Sequence, residues 1–181
     1  MGDLDGALTA ARSGSADGFA ELYRALARPV AAFLRARGVP DVEDVTSEVF
    51  LAAFAGLGRF DGDMTDFRTW LFTIARRRAV DHYRRAGRRP VTQALEPELD
   101  PRSVPSAEQT ALAELGGQRV VALLGTLSPD QRDVLLLRIV ADLTVDQVAQ
   151  VVGKRPGAVK ALQRRGLDRL RRTISDEGVT P

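Results

Sequence analysis

Cysteine is absent from this 181-residue chain, which removes disulfides, thiolate metal sites and cysteine nucleophiles from consideration. Histidine is nearly absent: His82 stands alone within a basic stretch, with no second imidazole or thiol to share a metal. It reads as a surface residue or a neighbour of phosphate. Aromatics make up only 6% of the residues, which suits helices better than a β-sandwich. No apolar run approaches the roughly 18 residues of a membrane span, and no N-terminal stretch has the form of a signal peptide. These gaps predict a soluble, cytoplasmic chain that does not itself insert into a membrane. Nor is there a glycine-rich phosphate loop. Asp61, Asp63 and Asp66 imitate a calcium loop for three positions, but the twelfth position lacks the required glutamate. The expectation is therefore no catalytic residue, no metal and no cofactor.

What the chain does have is charge, strongly sorted. The formal net charge is only +2. Residues 41–57 nevertheless carry −4, residues 58–90 carry +5, residues 91–119 carry −3 and residues 153–172 carry +7. Two basic blocks separated by an acidic segment suggest two surfaces for polyanions, although solvated helix faces would give the same sums. Hydrophobic residues amount to 44%, enough for a packed core.

The periodicity is helical nearly throughout. Phe19, Leu22, Tyr23, Leu26, Val30, Phe33 and Leu34 recur in steps of three and four, forming one stripe that ends at Gly38-Val39-Pro40. Asp41 is placed to cap the next helix, with Asp44 in its first turn and Val45, Val49, Ala52, Ala53 and Leu57 on its apolar side. Arg59–Asp66 reads as a loop, and helix resumes from Phe67 to about Arg85 with Trp70, Leu71, Ile74, Ala75 and Val80 turned inward. Pro90, Pro97, Pro101 and Pro105 give residues 87–106 the composition of a flexible linker. Helical periodicity returns at Ala107. Ser128-Pro129-Asp130-Gln131 and Thr144-Val145-Asp146-Gln147 are both capping boxes. The predicted architecture is all-α. A helical domain spans 1–86, a linker spans 87–106, and a second helical domain with a helix-turn-helix spans 107–181.

The most specific signal lies between Thr144 and Leu162. Ala149 is followed four residues later by Gly153, then by Val159 and Leu162. Two helices crossing steeply through a short turn need a small side chain at their contact and a residue that accepts positive φ in the turn. That spacing leaves Lys160, Gln163 and Arg164 on the outer face, with Arg155, Pro156 and Ala158 at the helix entrance. Arginine reads guanine and glutamine reads adenine in the major groove. A plain helical hairpin with a basic surface is the bland alternative.

Two weaker signals accompany it. Phe67-Arg68-Thr69-Trp70-Leu71-Phe72, followed by Arg76-Arg77-Arg78 and Arg84-Arg85, places cations beside rings, as single-stranded DNA requires. Trp70 and Phe72 fit the core at least as well, whereas Phe60 and Tyr83 are expected at the surface. The acidic helix from Asp41 to Leu57 would repel DNA and suits a protein partner, or simply water.

Taken in order, these segments resemble the extracytoplasmic-function branch of the bacterial sigma-70 family over roughly 140 residues. Phe19-Ala20-Glu21-Leu22-Tyr23 resembles the opening of the family's first domain. Asp41 through Phe50 is similar to its polymerase-docking helix. Phe67 through Arg85 is similar to the stretch that melts and reads the −10 element, and Leu127 through Arg172 to the domain that reads the −35 element. The resemblance implies a promoter-specificity subunit with three kinds of partner: core RNA polymerase, promoter DNA and an anti-sigma factor. It implies polymerase docking through Asp41, Asp44, Glu48 and Phe50. It implies −10 strand contacts from Arg59, Phe60, Asp61, Arg76, Arg77, His82, Tyr83 and Arg85, with loop 59–66 cradling a flipped base. It implies −35 contacts from Arg155, Pro156, Ala158, Lys160, Gln163 and Arg164 on a helix spanning 156–166. Departures from the family pattern are Arg77, where asparagine is frequent, Lys154 at a usually apolar turn position, and Ala161-Leu162-Gln163. The rivals are a stand-alone helix-turn-helix regulator, which needs a dimer interface, and a nucleic-acid-processing enzyme, which needs a metal or nucleophile constellation.

Overall fold

The computed structural model describes residues 3–86 and 119–176, with side chains through His82 in the first stretch. The expected linker and the start of the second helical set, from Ala107 to 118, lie outside the described residues. Helices α1 (Leu4–Arg12), α2 (Ala16–Ala36), α3 (Val42–Gly56) and α4 (Met64–Ala86) form the first group, with a 3-10 turn at Leu57–Arg59. Residues 119–125 are helical, and α5 (Pro129–Ile139), α6 (Val145–Val152) and α7 (Pro156–Asp176) follow. Among the described residues there is no strand.

In the first group α2 is the central rod. Its Leu22, Leu26, Val30, Phe33 and Leu34 are buried, matching the stripe read from their spacing. They meet Val45, Val49 and Ala53 of α3 and Phe67, Leu71, Phe72 and Ala75 of α4 in the same apolar cluster, with Phe33 edge-on to Phe72 at 5.8 Å between centroids. Helix α1 is capped by Asp3, whose side chain accepts from the Gly6 amide. It lies so close to α2 that a Cβ on Gly18 would stand 2.7 Å from the Ala11 nitrogen and the Ala7 oxygen. Only glycine permits that approach.

In the second group both capping boxes form. The Ser128 and Thr144 hydroxyls accept from the Gln131 and Gln147 amides, and each glutamine returns a bond to its cap's backbone. Asp41 differs: it holds the N-cap position of α3, yet its side chain makes no capping bond. The acids of that helix start act through proximity to the helix dipole instead.

The groups also touch each other, which a purely flexible linker did not predict. Helix α4 packs on α6, and α2 touches α5. Asp133 of α5, only 2% exposed, sits between two arginines of the first group. Arg37 Nη1 and Arg76 Nε each lie 2.8 Å from it, on opposite carboxylate oxygens. The Arg76 contact is also a hydrogen bond; the Arg37 contact is an ion pair outside hydrogen-bond angles. Gln147 Nε2 adds a bond to the Thr65 carbonyl at 3.2 Å.

Candidate nucleic-acid interface

The helix-turn-helix is built by α6 and α7. Gly153 closes α6 in the left-handed region, φ 67° and ψ 38°, where side chains with a Cβ are strained. Val148, Ala149, Val152 and Val159 are buried and hold the crossing together, with Leu162 half-buried beside them. This inward set fixes the outward one. Arg155, Pro156, Ala158, Lys160 and Arg164 are exposed, and Gln163 is half-buried on the same side. Helix α7 extends past the 156–166 segment expected in the groove to Asp176, and carries Arg169, Arg171 and Arg172 with it. Gly166 is buried because Leu135 of α5 passes at that point, 3.0 Å from where a Cβ would be. Lys154, unusual for its turn position, pairs with Asp130 in the first turn of α5 at 2.9 Å, tying the turn to the group's core.

The second basic surface follows α4 and the turn before it. Arg59 and Asp61 are exposed, and Arg12 of α1 reaches Asp61 at 3.4 Å. Phe60 is half-buried rather than open, because its ring stacks on Trp70 with centroids 5.1 Å apart and planes 14° from parallel. Phe72 is wholly buried and Trp70 half-buried, so these two rings are mainly core. Arg77 is exposed and His82 half-buried. Arg76, expected on the −10 strand, has a side chain that is 25% exposed and engaged by Asp133. The side chains of Tyr83 and Arg85 lie outside the described residues.

The acid-rich face is formed by α3. Asp41, Glu43, Asp44 and Glu48 are exposed, along with Leu51 at 70% exposure, which places one bare apolar side chain among carboxylates. Glu48 also lies 3.4 Å from Arg78 of α4, and Glu43 lies 3.3 Å from Arg35 of α2. Phe50 corrects the expected docking set. It is 2% exposed, with its ring against Tyr23 and Phe54, because it occupies the inner side of α3. It supports the face from below and presents nothing to a partner.

Sequence reasoning missed the Arg37–Asp133–Arg76 triad. A signal existed, since Asp133 is followed by four consecutive apolar residues from Val134 to Leu137, and such a flank marks a half-turn heading inward. Its partners, 96 and 57 positions earlier, had no such mark. Among the described residues no group of three or more histidines, cysteines or carboxylates could hold a metal. No helix among them is long and apolar enough to cross a membrane.

An acid-faced bundle carrying a basic helix, joined to a helix-turn-helix with an outward cation row, has the form of a helical DNA-binding protein. The comparisons make the class definite. Residues 19–89 match the family model described as Sigma-70 region 2, and residues 123–172 match that of Sigma-70, region 4. The chain is 35% identical over 170 residues to the ECF RNA polymerase sigma factor BldN of Streptomyces coelicolor, covering 92% of this chain and 64% of that one. It is 32% identical over 185 residues to SigD of Mycobacterium tuberculosis, covering 97% and 85%. Among solved structures it resembles CnrH in complex with the cytosolic domain of CnrY, with TM-score 0.74, 26% identity, and coverage of 96% of this chain and 99% of that one. The chain belongs to the extracytoplasmic-function RNA polymerase sigma factors of the sigma-70 family.

Proposed function

We propose that this sigma factor works in the cytoplasm by division of labour, entirely through binding and without covalent catalysis. The exposed carboxylates Asp41, Asp44 and Glu48, with Leu51 among them, dock on core RNA polymerase. Residues Arg155, Lys160, Gln163 and Arg164 enter the major groove of the −35 element, with Pro156 and Ala158 lying against its floor. Arg59, Phe60, Asp61, Arg77 and His82 line the path of the melted −10 strand, continued by Tyr83 and Arg85. Arg76 belongs to the same path, beside its ion pair with Asp133. Residues 1–86 and 107–181 act as separate functional units, connected by 87–106.

The observation that carries this reading is the sidedness of α7: Val159 and Gly166 buried, Arg155, Lys160 and Arg164 exposed, behind a turn that only a left-handed residue can make. Base-edge contacts by such a row discriminate, and the remaining arginines position the duplex through phosphates. Unstacking a flipped −10 base costs a few kcal/mol, which base capture on protein must offset. A cognate anti-sigma factor is a further partner in this reading, since the similar CnrH is seen in complex with the cytosolic domain of CnrY.

In vitro transcription with core polymerase and start-site mapping is the test. Discrete, sequence-dependent starts that require the purified chain are expected; starts identical to those of core enzyme alone would reject the reading. Tight, specific duplex binding without polymerase would favour the stand-alone regulator instead.

A further inference from the structure

We propose that the groove between the second half of α7 and the first turn of α5 is a binding site for a pyrophosphate unit. Nucleoside diphosphates and inorganic polyphosphate both carry that unit. The site lies apart from the surfaces assigned above and does not rest on the proposed function.

Helix geometry separates it from the outer face of α7. At about 100° per residue, Lys160, Arg164 and Arg171 fall within about 40° of one another. Arg165, Arg169 and Arg172 form a second set within about 60°, centred about 130° around the helix from the first. The two sets line two different grooves. With the first set turned to the base edges of a duplex, the second points away from them. Its groove has a volume of about 470 Å³, within the roughly 300–1,000 Å³ of small-molecule sites.

The donors around that groove are open. Arg165, Arg169 and Arg172 are exposed. The side chains of Arg165 and Arg169 make no ion pair or hydrogen bond among the described residues. Arg172 commits its Nε to the Asp168 carbonyl at 3.2 Å, which leaves both Nη groups. On the opposite wall, Gln131 accepts from the Ser128 amide through Oε1 at 3.1 Å, so its Nε2 is left to donate. Gly166 permits this approach of the two helices, since a Cβ there would stand 3.5 Å from Gln131 Cβ. Gln131 lies in the first turn of α5, where the helix dipole adds positive potential. The acid of that turn, Asp130, is held by Lys154. Thr126 and Thr173 also line the groove but donate their hydroxyl protons to the Leu123 and Arg169 carbonyls. Three arginines against one carboxylate, Asp176, give the lining a net charge of +2.

Spacing sets the ligand. Arg165, Arg169 and Arg172 advance by about 6 Å and then about 4.5 Å along the helix axis. A phosphoryl group is matched by one guanidinium fork or by two that converge on it. Three guanidiniums spread over about 10 Å therefore leave one uncovered by a single phosphate, whereas two linked phosphoryl groups reach all three.

The test titrates the full chain with inorganic pyrophosphate by isothermal calorimetry at about 0.15 M ionic strength, where diffuse attraction is screened. Inorganic phosphate and ADP are titrated in parallel. One equivalent of pyrophosphate should bind, about tenfold or more tightly than phosphate. Arg165→Gln and Arg169→Gln should each weaken it about tenfold with helicity and melting temperature retained, since neither side chain has a structural partner. Arg171→Gln, on the other face, should change it less than about twofold. ADP binding as tightly as pyrophosphate assigns the unit to a nucleotide; pyrophosphate binding with ADP rejected assigns it to inorganic polyphosphate, and the site stands in either case. Pyrophosphate held no more tightly than phosphate, several equivalents bound to the parent, or equal losses in Arg169→Gln and Arg171→Gln would each overturn the proposal. Release of bound pyrophosphate by a saturating duplex oligonucleotide would overturn it too, and would give the second arginine set to DNA. None of these readings involves polymerase, so a failure of promoter-specific transcription would count against the proposed function alone.

Discussion

Arg164 and Gly153 show how single residues divide the work of the helix-turn-helix. Arg164 is exposed on the outer side of α7 and has no structural task among the described contacts. Arg164→Ala should therefore leave the melting temperature unchanged while weakening promoter use by about 1–3 kcal/mol, read as a 5- to 150-fold loss in transcription from a defined promoter. Unaltered transcription would move the reading face elsewhere on α7. Gly153 has the opposite profile. At φ 67° a β-branched side chain is strained, so Gly153→Val should destabilise the fold by about 1–2 kcal/mol, and Gly153→Asn by less. Thermal unfolding of both variants checks the order. Both positions were legible because spacing and backbone preference are local. Phe50 was not legible in the same way: its neighbours Val49 and Leu51 differ completely in exposure, and only helix phase in three dimensions says which of the three faces out. Lys154 departs from the family pattern, and Asp130 at 2.9 Å gives its charge a partner that sequence separation concealed.

At the level of elements, capping and close approach decide what each helix can do. Thr144 caps α6 through its hydroxyl, so Thr144→Ala should cost about 1 kcal/mol of stability, and Thr144→Ser should restore most of it. Denaturant unfolding monitored by circular dichroism distinguishes the two. The acid face of α3 makes a separate prediction. Asp44→Arg combined with Glu48→Arg should abolish co-purification with core polymerase while helicity is retained, because both side chains are exposed and bear no core contact. Retained co-purification would remove α3 from the docking role. Helix existence was readable nearly everywhere from period and caps. Ends were less so: α7 runs to Asp176, because its later turns pack Leu167 and Leu170 onto the core, a tertiary reason that no local signal carries.

For the molecule as a whole, the all-α class and the order of its parts were written in composition and periodicity. The meeting of the two groups was not. It depends on a carboxylate and two cations far apart in sequence, whose pairing only the folded arrangement brings about. Removing one partner of such a buried set typically costs about 3–5 kcal/mol in a single rigid fold. Asp133→Asn leaves Arg37 and Arg76 facing a neutral amide, so denaturant unfolding should show a loss of stability of up to about that size.

Helix α7 is a single rod of 21 residues, about 31 Å from end to end. Gly166, near its midpoint, rests against Leu135 like a beam on a fulcrum. Tilting the beam by about 10° swings its Pro156 end through some 2–3 Å, given ~1.5 Å of rise per residue. A base-edge hydrogen bond does not survive so large a displacement. Whatever grips Arg169 and Arg172 at the far end thus holds a lever over which bases the proposed readers Lys160 and Arg164 can reach.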